Sequence, residues 1–173
     1  MIGLRLHLLA LTVLFALLSQ TQQLHSSVDI GSISELRGNA QVLRDKPYGA
    51  ELDFGILSYD KVETANGRMG ITFIDDTEIR LTENSQVLID EFVFDPNPDN
   101  SKMALTFAKG TARFVTGKLN KVPKKNIKIR TNSATIGIRG TDFTITCSTF
   151  GKGKSHLGVV WVRVKDKLIN QHL

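Results

Sequence analysis

The chain has 173 residues, 41% of them hydrophobic and 23% charged, with a formal net charge of +5. That length holds one domain with a real core together with a targeting segment. The single cysteine excludes an internal disulfide, and its position at Cys147, far from the N-terminus, excludes a lipoprotein acceptor.

Residues 1–26 read as a secretory signal peptide. Arg5 precedes an apolar run from Leu8 to Leu18, which gives way to polar Ser19-Gln-Thr-Gln-Gln. The run is shorter than the roughly 20 apolar residues that a membrane span takes. Ser19 and Thr21, or Ser26 and Ser27, suit a cleavage site, although Leu24 spoils the second; an uncleaved anchor is the alternative reading.

From Val28 onward short alternating runs replace any helical period, and the chain reads as all-β. Ile33 and Leu36 are separated from Ala40 and Val42 by a turn at Arg37-Gly38-Asn39. Leu52, Phe54 and Ile56 alternate as a strand. Asn66-Gly67 is expected to close a hairpin between Val62-Thr64 and Met69-Phe73. Asp75-Asp76-Thr77 turns next, and its paired acids are expected to be solvated. Asp95 to Ser101 carries two prolines and is a loop; its Asp95 and Asp99 lack the ligand spacing of a calcium site. Lys109-Gly110 is expected to turn between Met103-Phe107 and Ala112-Phe114. A lysine-rich connection from Thr116 to Asn126 leads to Ile127 and Ile129. Short strands at this spacing predict a wrapped β-sandwich or a β-solenoid-like domain. Beyond Cys147, Val159 to Val164 reads as a last strand, with core packing expected for Trp161 and fraying for Lys165 to Leu173. The divisions are therefore 1–26, 28–147 and 148–173.

Thr131 to Phe143 concentrates special residues among apolar ones. Gly137 and Gly140 tolerate a bulge or corner, and the fork of Arg139 offers five donors to free carbonyls there. Gly137, Arg139, Gly140 and Thr141 are read as a structural motif; an outward Arg139 binding an anion is the alternative. Cys147 continues the alternation of Phe143 and Ile145 and is expected to be a buried, inert thiol.

Taken in order, these pieces resemble the FecR domain family over most of residues 30 to 147. Leu57-Ser-Tyr-Asp60-Lys-Val-Glu-Thr64 followed by Gly67, the acidic turn between Ile71 and Leu81, Asn84-Ser85, Gly110, and finally Arg139-Gly140-Thr141-Asp-Phe143 carry the resemblance. Tyr59 stands where the family usually has glycine, Asp76 replaces the glycine of an Asp-Gly turn, and Asn132 replaces a common proline. The resemblance implies a sensing or binding role in the bacterial envelope. The cytoplasmic sigma-binding segment of the family's regulators has no counterpart in this sequence, so that activity is not carried over.

The functional expectation is a non-catalytic exported module, periplasmic or secreted, that engages an envelope protein partner, with no cofactor. The alternative is binding of acidic glycans or a lipid surface through Lys118, Lys121, Lys124, Lys125, Lys128 and Arg130. No aromatic residues interleave with those lysines, which argues against nucleic acid. An enzyme is disfavoured, because His7, His25, His156 and His172 all fall outside the expected core and no serine sits on a nucleophile-elbow pattern.

Overall fold

The computed structural model describes residues 28–136, 142–150, 157–164 and 167–171. Fourteen strands follow in order: β1 (Gly31–Arg37), β2 (Ala40–Leu43), β3 (Pro47–Gly49), β4 (Gly55–Ile56), β5 (Lys61–Thr64), β6 (Arg68–Phe73), β7 (Glu78–Leu81), β8 (Gln86–Val93), β9 (Lys102–Val115), β10 (Ile127–Thr131), β11 (Thr135–Ile136), β12 (Asp142–Phe150), β13 (Leu157–Val164) and β14 (Lys167–Gln171). Among the described residues only single 3-10 turns interrupt them, at Pro98–Asn100, Lys118–Lys121 and Lys124–Asn126. The all-β expectation holds.

The strands form one sheet that curls on itself. Its front half runs β4-β1-β6-β7-β9-β12-β13-β14, and its back half runs β3-β2-β5-β8-β9-β10-β11. β9 belongs to both. Its first part pairs with β8 and, in parallel, with β10, whereas its last part pairs with β7 and β12. Every other pairing is antiparallel.

Alternation decides which side chains meet between the halves. Ile33, Ile71, Phe73, Ile79, Leu81, Phe114 and Ile145 come from the front, while Val42, Val62, Ile89, Phe92, Leu105, Phe107 and Ile129 come from the back, and all are buried. Phe73 and Phe92 stack across the interior with ring centroids 4.7 Å apart. Inward positions on β9 change from odd (Met103, Leu105, Phe107) to even (Ala112, Phe114), so one extra residue lies between them. The expected turn at Lys109-Gly110 is therefore absent. Gly110, at φ +92°, is a kink inside a continuous strand. A Cβ there would strike Ser85.

Asn66-Gly67 does not close a hairpin, because β5 and β6 never pair with each other. The segment instead carries the chain from the back half to the front. Gly38 carries it the other way between β1 and β2, and a Cβ on Gly38 would lie 2.6 Å from the carbonyl oxygen of Asn66. The Thr82–Ser85 segment makes a third crossing and Gly110 a fourth. Backbone bonds link these crossings into one belt: Ala65 N–H to Asn39 C=O, Thr64 N–H to Ser85 C=O, Asn84 N–H to Ala65 C=O, and Thr82 N–H to Thr111 C=O. The Ser85 hydroxyl accepts from the Thr111 N–H at 3.0 Å and donates to its carbonyl at 3.1 Å.

Two further expectations change. Leu52 is 61% exposed and Asp53 is left-handed at φ 62°, so the strand expected over Leu52 to Ile56 shrinks to β4. Residues 167–171, expected to fray, form β14 against β13. The side chain of Trp161 lies outside the described ones.

Candidate functional site

At the end of the sandwich opposite the glycine belt, two buried aspartates hold the chain. Asp60 is fully buried where the chain passes from β4 to β5. Arg44 grips it bidentately, Nε to Oδ1 and Nη2 to Oδ2, both at 2.7 Å, and the Leu57 N–H donates to Oδ2 at 2.8 Å. Arg44 also donates to the Gly55 carbonyl and lies over the rings of Tyr48 and Phe54. Its hydrogen bond to Asp60 raises the guanidinium pKa against the opposing effect of burial. Nothing in the sequence pairs Arg44 with Asp60 across that separation; the Leu-Ser-Tyr-Asp element marks only one of the partners.

Asp75, expected to be solvated, is fully buried. The reason is local geometry. Thr77 donates to it from both its N–H and its hydroxyl, at 3.1 and 2.6 Å, and the Leu119 N–H reaches it at 3.0 Å. Asp75 thus docks the connection between β9 and β10 onto the β6–β7 turn. The Lys118 N–H donates to the Asp75 carbonyl, and the Gly117 N–H to the Thr77 hydroxyl. Asp76 alone is exposed, at φ 67°. Tyr59 is also left-handed, at φ 71°. The two positions at which the FecR pattern has glycine thus keep a glycine-like backbone while bearing side chains. Asn132, in place of a proline, donates to the Ala108 carbonyl at 3.2 Å.

The docked connection carries the basic cluster. Lys118, Lys121, Lys124, Lys125, Lys128 and Arg130 are all exposed, whereas Leu119, Val122, Ile127 and Ile129 are buried between them. The apolar residues fix the backbone and the cations are left outside it. Lys118 pairs with Asp76 at 2.9 Å, an exposed contact of small energetic weight. Asn126 ties the connection to the Asp95–Ser101 loop through the carbonyls of Asp99 and Ser101.

Gly137, Arg139, Gly140 and Thr141 lie outside the described residues, as do all four histidines. The flanking strands, β11 and β12, belong to different halves of the sheet. Cys147 is half-buried on β12, and burial pushes its thiol up to about 11, which disfavours the reactive thiolate. Among the described residues no three His, Cys, Asp or Glu side chains gather in a metal-binding group, and no helix is long and apolar enough to cross a membrane.

A curled β-domain with acid-pinned turns and a basic connection defines a sandwich-type module. The family model described as FecR protein matches residues 60–163, more than half of the chain, and the protein belongs to the FecR family. The match extends past Cys147 into β13, so the family region reaches beyond the boundary expected at residue 147. No curated protein and no solved structure matches the chain.

Proposed function

We propose that this FecR-family protein is a non-catalytic, exported module of the bacterial envelope that senses or binds another envelope protein. The observation that carries the reading is how its polar interior is used. Asp60, Thr64, Asp75, Thr77, Ser85 and Ser101 are buried, and among the described residues no buried side-chain nitrogen or oxygen lacks a partner. Those groups hold turns and crossings, which leaves edges and surfaces to act on other molecules. Three edges are short: β3 has three residues and begins with Pro47, while β4 and β11 have two each. The fourth, β14, has five and suits strand addition. Export rests on the pattern of residues 1–26, and sensing on the family.

The exposure of all six basic side chains favours a second reading, binding of acidic envelope polymers through Lys118 to Arg130. Crosslinking capture from bacterial envelopes with the full chain, washed at low and then high salt, separates the two. A discrete protein that survives high salt, and is lost with whichever of Ile169→Pro and Asn170→Pro removes the outward amide of β14 and leaves its pairing with β13 intact, supports the protein-binding module. Material that is released by salt and lost with K121Q/K124Q/K125Q moves the function to the lysines. Capture of nothing overturns both.

A further inference from the structure

The outer face of the front half carries arginines where sheet energetics disfavour them. Arg37 of β1 stands directly opposite Arg68 of β6, and Arg80 of β7 directly opposite Arg113 of β9. Like charges at such positions work against strand pairing. All four side chains are exposed, because their neighbours Leu36, Met69, Leu81, Ala112 and Phe114 face the interior. The row continues from Arg113 to Thr144 of β12 and on to the exposed Arg163 of β13.

Three carboxylates share this face. Glu35 lies 3.9 Å from Arg37 and Glu78 lies 2.9 Å from Arg80, while Asp142 takes Arg113 in a fork at 2.9 and 2.6 Å. Arg68 and Arg163 have no carboxylate partner among the described residues, so the face carries more guanidinium than carboxylate charge. The Arg113–Asp142 fork displays on this surface the geometry in which a planar guanidinium holds a carboxylate. Between the arginines lie hydroxyls, including Thr111 and Thr146, whose side-chain oxygens are 3.0 Å apart, and Thr144.

We propose that this face binds a linear, carboxylate-bearing polysaccharide laid across the strands. Neighbouring strands are about 4.8 Å apart, so Arg80, Arg113 and Arg163 sit at one-strand and two-strand intervals, the scale of successive sugar rings. The guanidiniums of Arg68 and Arg163, which no described carboxylate holds, receive carboxylates, and the threonines meet sugar hydroxyls with groups that both donate and accept. The surface is separate from the lysine connection, since Lys128 and Arg130 project from the outer face of the back half. Binding of this kind needs no protein partner.

The test is binding of the full chain to polygalacturonate, with polyphosphate and uncharged dextran as comparators. R68Q/R163Q removes the two guanidiniums that no described carboxylate holds and leaves every described ion pair in place. Its affinity for polygalacturonate is expected to fall at least tenfold at an unchanged melting temperature, against less than twofold for K121Q/K124Q/K125Q. R163K is expected to recover only part of the loss of R163Q, because a lysine lacks the fork. Unchanged binding in R68Q/R163Q overturns the proposal, as does an equal loss in the lysine variant. Polyphosphate bound as tightly and with the same arginine dependence overturns the selectivity for carboxylates.

Discussion

The two ends of the sandwich solve the same problem, passing the chain between halves and around turns, with opposite chemistry. At one end Gly38, Gly67, Ser85 and Gly110 bring backbones into contact, and neutral amides, carbonyls and hydroxyls bond them. At the other, Asp60 and Asp75 draw loops inward onto buried carboxylates. The neutral end leaves no room for a Cβ at Gly38, Gly67 or Gly110. The acidic end tolerates side chains even at left-handed positions, as Tyr59 and Asp76 show, but depends on charge and hydrogen-bond geometry. The lysine-bearing connection is thus attached at the end whose left-handed positions carry side chains.

Adding one methyl group to the neutral end should do the most damage. Gly110→Ala combines a left-handed backbone with a collision against Ser85, and is expected to cost about 4 kcal/mol, read as a fall in the urea midpoint. A loss near the ordinary glycine-to-alanine difference would show that β9 relaxes there and would erase the contrast. At the acidic end, Arg44→Ala leaves the buried Asp60 charge without its cation and is expected to cost about 3 kcal/mol in the same measurement. Asp75→Asn should cost less, about 2 kcal/mol, because Asp75 relies on neutral donors.

Tyr59→Gly should stabilise. The left-handed conformation costs a bulky residue roughly 1–2 kcal/mol, and about 1 kcal/mol of that returns as the entropy glycine loses on folding. The net gain of about 0.5 kcal/mol should raise the urea midpoint at unchanged slope. Cys147 sits opposite Gly110, so alkaline pH places a charge beside the neutral end. Its folded pKa is raised, hence the stability carried by the neutral thiol is complete below its ordinary value near 9.0 and is lost as pH rises toward about 11. The thiol is partly solvated, so the loss should be on the order of 1 kcal/mol or less, visible as the difference between wild-type and Cys147→Ala melting curves across that window.

Much of this was legible because alternation is a local signal. Met69-Ile71-Phe73 and Met103-Leu105-Phe107 announce their buried faces without help from the rest of the chain. The exposure of Lys118 to Arg130 was equally plain, since lysines between apolar residues have only one economical arrangement. Non-local partners were not legible. Asn66-Gly67 has the composition of a hairpin, but its role follows from where β1 and β8 lie. Lys109-Gly110 looks like a turn because glycine marks both turns and kinks, and only the two sets of neighbours of β9 separate them. Asp75 and Asp76 are identical in sequence terms; the Leu119 amide, 44 residues onward, decides which of them is buried. The arginine row emerges only once cross-strand register is known.

The shared strand also sets an order of assembly. Without β9, the earlier strands pair only as two separate ribbons, β3-β2-β5-β8 and β4-β1-β6-β7, and no ladder joins them. Synthesis delivers residues 102–115 after both ribbons, so until then the nascent chain presents two bare apolar faces. Closure is a late, long-range event, slow by the general dependence of folding rate on contact separation.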